Sequence, residues 1–209
     1  SEHYQNSSLK AECKEIELIF SEEEKVKQIC SERLWQMHRN SDSNPDVLEC
    51  VLMALDKWLL EVAKRFPEEL VNIFCLFLLK NSNNVAITAT VLSVVEAYPE
   101  KLFGISCILI RTKEICYYDT CRGAAEIRAG LMSSFLPRDK VFEEERVTSN
   151  NFEFRKITFE QVIMDYQIKR GDLSREEFER RISTLYSIID QVTEDIENWE
   201  PIYQYAYYQ

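Results

Sequence analysis

The segment FPEEL at residues 66–70 returns as YPEKL at residues 98–102, thirty-two positions later. Laid without a gap, residues 51–80 match residues 83–112 at eight of thirty positions, including Pro67/Pro99, Leu70/Leu102 and Cys75/Cys107. Pairs such as Leu59/Val91 and Phe66/Tyr98 are conservative. Each copy reads as helix, aromatic, proline, helix, because the fixed φ and missing N–H of proline suit a first helical turn. A two-helix unit of this length cannot bury its apolar face alone, so neighbouring units stack and share a core. Two unrelated hairpins with a coincident proline turn would leave the ungapped register unexplained. No third clean copy and no tetratricopeptide pattern is present. The expected fold class is therefore all-α, with HEAT-like or TPR-like stacked helical hairpins forming an α-solenoid or an irregular helical bundle.

Four glycines and five prolines in 209 residues agree with helices rather than a turn-rich β architecture. Ser21 and Glu24 stand at capping-box spacing and predict a helix over 21–39, with Val26, Ile29, Cys30 and Leu34 on one face. Asn44 as N-cap and Pro45 as first residue predict the next helix, with a stripe of Leu48, Val51, Leu52, Leu55, Leu59 and Val62. Helices start again at Pro67 and Pro99. Between them, VAITATVLSVV is apolar nearly all round and has to be covered on both sides. Thr112 is expected to cap a short helix through residue 121, and a separate helix follows over 124–135. Residues 137–156 are charged and without a stripe, which predicts a loop with NFEFRKI extended. Thr158/Gln161 and Ser174/Glu177 are two further capping boxes, separated by Gly171 as a helix C-cap. The second opens a long amphipathic helix with Phe178, Ile182, Leu185, Ile189, Val192 and Ile196 on one side. The expected organisation is a helical repeat region over 1–136, a loop over 137–156, and a C-terminal helical hairpin over 157–209 packed on the same domain. The first ten residues read as a domain edge or an expression remnant.

The net charge of −11 and the lack of a Lys/Arg cluster argue against nucleic acid as a direct partner. No stretch approaches the ~18 uncharged apolar residues of a membrane span. Seven cysteines, odd in number and without C-x-x-C, read as reduced core thiols of a cytoplasmic protein.

Few residues point to chemistry. The four glycines cannot form a phosphate-binding loop. His3 lies near the terminus, and His38 at a helix end suits the dipole there. Cys107, Cys116 and Cys121 are a zinc candidate without standard spacing or an evident fourth ligand, and core thiols are the simpler account. Acidic clusters at residues 22–24, 68–69 and 143–145 are unspecific. Arg122 and Arg128, around Gly123, form a candidate anion site against a default of surface arginines. The RGD at residues 170–172 is simplest as the junction between two helices. No catalytic, cofactor-binding or metal residue is assigned. The candidate interaction surface is Trp199, Tyr203, Tyr205, Tyr207 and Tyr208, where the chain is expected to bend at Pro201.

The residues Leu52–Leu59 (LMALDKWL), Asn81–Ala86 (NSNNVA) and Tyr98–Pro99 resemble a segment of large bacterial STAND-type ATPases, some of them antiviral sensors. The resemblance covers residues 45–112. It implies a helical module beside an ATPase core, of the kind that senses a partner protein. The ATPase and effector motifs are not in this chain, so no functional residue is carried over. The expectation is a non-catalytic helical protein-interaction or scaffold domain, a fragment of a larger cytosolic ATPase or sensor. Its partner is another protein or another domain of the same polypeptide, without cofactor, nucleic acid or membrane. Two alternatives stand beside it: a structural protein that homodimerises through its aromatic C-terminus, and an enzyme with an acidic helical active site.

Overall fold

A computed structural model describes residues 13–39, 46–133, 152–204 and 207, with the side chains of 46 and 128–133 outside the description. The described residues are mostly helical, with a single two-stranded sheet among them. The chain divides into two compact units, Ser1–Val91 and Leu92–Gln209.

The first unit opens with a β-hairpin, not the helix that Ser21 and Glu24 predict. Strand β1 (Lys14–Ile19) pairs antiparallel with β2 (Lys25–Cys30), from Lys14↔Cys30 to Ile19↔Lys25. Alternation sets the faces: Ile16, Leu18, Gln28 and Cys30 are buried. On the other face Lys27 bridges Glu15 at 2.7 Å and Lys25 bridges Glu17 at 3.5 Å. The Glu24 N–H does donate to Ser21 Oγ (3.1 Å), but within a tight turn that Phe20 N–H closes on Glu24 O (3.0 Å). A serine oxygen bonded to the N–H three residues on serves a hairpin turn as well as a helix start.

Gln28 fixes this hairpin. Its Nε2 donates to the carbonyls of Leu79 (3.4 Å) and Ser82 (3.2 Å), and its Oε1 accepts from Thr88 Oγ1 (2.7 Å). Ile29 N–H adds a bond to Asn83 O at 2.9 Å. Helix α1 (Glu32–Gln36) is capped by Ser31, whose Oγ accepts from Leu34 N, and a 3-10 turn, Met37–Arg39, buries His38. Helix α2 (Asp46–Arg65) follows; its predicted cap residues Asn44 and Pro45 lie outside the described residues. Helix α3 (Glu68–Asn81) begins directly after Pro67 and buries Val71, Cys75 and Leu79. Helix α4 (Val85–Ala97) carries the unit boundary within it and is buried along nearly its whole length.

The second unit continues with α5 (Phe103–Ile110), preceded by a turn in which Leu102 N–H bonds to Tyr98 O and Pro99 O. The two sequence copies share their order but not their proline starts or their dimensions: α3 begins directly after Pro67, whereas Pro99 lies in a turn and does not start the expected helix. The first pairs helices of 20 and 14 residues, the second of 13 and 8. Cys75 is buried, whereas Cys107 is half-buried.

The two short helices expected around Gly123 are one, α6 (Lys113–Ser133). Gly123 lets another element come close instead: a Cβ there would meet Thr158 Cγ2 at 3.2 Å. Of the 137–156 loop, 152–156 lie within the described residues and hold a 3-10 turn, Glu153–Lys156, where extended chain was expected. Helix α7 (Phe159–Ile168) has the predicted Thr158/Gln161 capping box. Gly171 then takes φ +57° in the connection, the left-handed region glycine favours. Helix α8 (Arg175–Thr193) has Ser174 as N-cap, its Oγ accepting from Glu177 N at 3.1 Å. After a 3-10 turn, Ile196–Asn198, the chain bends at an extended Trp199, and Pro201 begins α9 (Pro201–Gln204).

Candidate interaction face

Helix α2 buries an unexpected side. Leu52, Leu59, Val62 and Ala63 face inward, and so do Glu49 and Asp56. Leu48 and Val51, placed on the core stripe by spacing, are exposed. Val47, Val51, Ala54 and Trp58 recur at helical intervals on the side opposite the buried one, with Val47 74% and Val51 60% exposed. Helix α3 continues this apolar surface with Ile73 and Phe77, 60% and 63% exposed. The joint between them is an edge-to-face contact of Trp58 with Phe74 at 5.4 Å. Met53 and Phe66 add exposed apolar area nearby in sequence. On the other flank of the stripe stand exposed Lys57, Glu61 and Lys64, with Arg65 bonded to Glu61 at 2.8 Å.

The second unit holds a different constellation, an arginine sunk in its interior. Arg122 is 1% exposed. Its Nε donates to Asp119 Oδ1 (2.7 Å). Its Nη1 reaches Glu126 Oε2 (3.0 Å) and the Arg155 carbonyl (3.5 Å). Its Nη2 reaches Glu96 Oε1 (2.9 Å), Asp119 Oδ2 (3.1 Å) and the Ile157 carbonyl (2.9 Å). Asp119 also accepts from the Phe159 N–H at 2.8 Å. Burial disfavours the Asp119 carboxylate, but the Arg122 charge and these bonds outweigh it and hold its carboxyl below the ordinary value. Burial likewise opposes the Arg122 charge, and Asp119 and Glu96 outweigh it. With all its nitrogens engaged by protein acceptors, Arg122 ties the 155–159 strap to α6 and to Glu96; it is not the surface anion site of the sequence reading. The Arg128 side chain lies outside the described residues.

The C-terminal aromatics fold into their own unit. Trp199 and Tyr203 are buried, and Tyr207 is half-buried. Tyr203 meets Tyr117 edge-on at 5.5 Å, and Trp199 meets Tyr207 at 5.3 Å. The Lys113 ammonium sits 4.9 Å from the Trp199 ring centroid. Tyr207 donates to the Ile110 carbonyl at 2.8 Å. Tyr205 and Tyr208 lie outside the described residues. The described rings of this cluster are thus turned into the second unit, and the larger exposed apolar surface is on α2 and α3.

Burial pushes the Cys75 and Cys116 thiols up to about 12 and Cys107 to about 11, so at neutral pH they are protonated and poor nucleophiles. Among the described residues no three His, Cys, Asp or Glu side chains are placed to hold a metal ion. No helix of the described residues is long and apolar enough to cross a membrane. His38 is buried, its Nδ1 3.1 Å from Trp35 O. Arg170 and Asp172 flank the left-handed Gly171 at the α7–α8 junction.

The α2–α3 face was missed in the sequence because its residues were assigned to the core. The signal was there: Glu49 and Asp56, seven apart, mark one side of α2 while Val47, Val51 and Trp58 mark the other. The chain matches no protein-family model, and no curated protein is similar to it.

Proposed function

We propose that this chain is a non-catalytic helical interaction domain that docks a protein partner on the α2–α3 face. The observation that carries the reading is the run of exposed Val47, Val51, Trp58, Ile73 and Phe77 on two adjoining helices. Contiguous apolar surface of this kind marks binding sites on soluble proteins. The repeated helix–aromatic–proline–helix order and the burial of α4 support a short HEAT-like stack as its scaffold. The resemblance to STAND-type ATPases supports placing the domain in a larger cytosolic sensor, where docking on helical repeats is the input step. Binding rather than turnover is favoured by an Arg122 whose donors are all engaged internally.

The test separates a docking face from a core. Measured at high dilution, where the chain is monomeric, Val51→Asp with Phe77→Asp changes stability by no more than about 0.5 kcal/mol per site if both are true surface positions. The same change also removes binding of an apolar-surface dye such as anilinonaphthalene sulfonate to the native chain. A fall of several kcal/mol, the scale of core disruption, refutes the reading.

A further inference from the structure

We infer that the partner on the α2–α3 face is a second copy of this chain, forming a two-fold homodimer. This rests on the proposed docking role of the face. Two features favour self-association over a foreign partner.

The first is charge. The chain as a whole carries −11, so most pairings of two copies bring like charge together. Among the described side chains, the exposed charged residues on α2 and α3 are Lys57, Lys64, Arg65 and Lys80 against Glu61, Glu68 and Glu69. Four cations against three anions leave this surface close to neutral, with the apolar stripe in its middle. Lys80 is already bonded to Glu24 at 2.7 Å and Arg65 to Glu61, which lowers their demand for a charged partner. A strongly basic or acidic ligand finds no complementary field here. A copy of the same near-neutral surface does not repel it.

The second is size and symmetry. Helix α2, with 20 residues, is about 30 Å long, and two helices side by side are about 20 Å wide. Helix α3, with 14 residues, is about 21 Å long, so the footprint is roughly 500 Å² per copy, or about 1,000 Å² in total, the lower limit of a specific interface. A two-fold axis makes one patch serve both sides. Antiparallel α2 helices would set Trp58 of one copy against Val51 of the other, equidistant from an axis crossing between Ala54 and Leu55. Trp58 is then the central aromatic anchor, the residue type most often found at interface hot spots.

The experiment is sedimentation equilibrium of the full chain, with circular dichroism as a check of folding. The wild type is expected to be a reversible dimer that tightens with added salt, because salt screens the repulsion between two acidic bodies. Trp58→Glu weakens dimerisation by about thirtyfold or more, the scale of a hot-spot loss. Val51→Asp/Phe77→Asp does the same without involving Trp58. Ile168→Glu, at an exposed apolar site on α7, leaves the dimer intact. A wild-type chain that stays monomeric at all concentrations overturns the inference. So does a dimer that survives both face variants. The docking reading stands apart from this result: a monomer that still binds the apolar dye, and loses it in the double variant, refutes self-association alone.

Discussion

Replacing Arg122 by methionine keeps the length of the side chain and removes its charge and donors. The structure sets the size of the effect. Arg122 is fully buried and touches three carboxylates, two of them, Asp119 and Glu96, as buried as itself. In the variant those two lose their cation while remaining out of water. Removing one partner of a buried ion pair costs about 3–5 kcal/mol, because the remaining charge is stranded. Against a typical total of about 5–15 kcal/mol, that is a large share. At about 2–4 °C per kcal/mol for a chain of this size, the melting temperature falls by roughly 6–20 °C. Linkage gives the pH dependence its sign. The Asp119 carboxyl lies below its ordinary value when folded, so its contribution is present above the ordinary carboxylate range and is lost as pH falls through the folded value. In Arg122→Met the Phe159 N–H still favours the carboxylate, but the cation that offset burial is gone, and burial favours the protonated acid. The deficit of the variant against wild type therefore narrows as pH drops from neutral toward the carboxylate range. Adding Asp119→Asn and Glu96→Gln removes the stranded charges and restores part of the loss, with Asn still able to accept from Phe159 N–H. Thermal melts followed by circular dichroism at neutral and acidic pH decide it. A variant melting within about 2 °C of wild type at neutral pH, less than 1 kcal/mol on that scale, refutes the account.

Three further outcomes follow from other sites. Gln28→Leu strands the Thr88 hydroxyl and withdraws a donor from the Leu79 and Ser82 carbonyls, so urea unfolding should show a loss of about 1–3 kcal/mol. Exposed Cys50 should react with an aromatic disulfide reagent in the native state, while Cys75 and Cys116, buried with thiols near 12, should react only on unfolding; native labelling of either would contradict their placement. Trp199→Ala removes a buried ring together with its bond to Asp195 Oδ1 (3.1 Å) and its Lys113 contact, and should cost about 3–5 kcal/mol, whereas an unchanged denaturation midpoint would mean that the C-terminal aromatics do not support the fold.

What the sequence made legible was mainly what local chemistry decides. Ser174, Thr158 with Gln161, the helix start after Pro67 and the turn at Gly171 each depend on residues within four positions. The hairpin at 14–30 was hidden by the same locality, since Ser21 with Glu24 satisfies two geometries that differ only in what the flanking chain pairs with. The alternation Glu15, Ile16, Glu17, Leu18 was the better guide. Helix α2 failed for another reason. Apolar residues fill 47, 48, 51–55, 58–60 and 62, so a stripe can be drawn at more than one phase. Arg122 was legible in part: Asp119 and Glu126 lie one turn away on its own helix. Glu96, 26 residues earlier, and the carbonyls of 155 and 157 meet it only in the folded unit, and they turn a surface arginine into a buried one.

The two units differ in where they place their large apolar side chains, and the difference bears on function. In the second, buried charge is closed on itself: Arg122 meets its acids and carbonyls, and the aromatic C-terminus is folded inward. In the first, Glu49 and Asp56 share the buried side of α2 with Leu59, while Val47, Val51 and Trp58 face outward. Turning α2 by half a revolution would exchange these sets, and burying each large apolar side chain is worth about 1.5–3 kcal/mol. The chain does not take that route, because Leu52, Leu59, Val62 and Ala63 would be turned outward with the acids. The apolar residues of the outer side thus contribute little to the fold they sit on. Their burial becomes available only when something covers α2 and α3 together, and the Trp58–Phe74 contact makes those two helices one surface to cover.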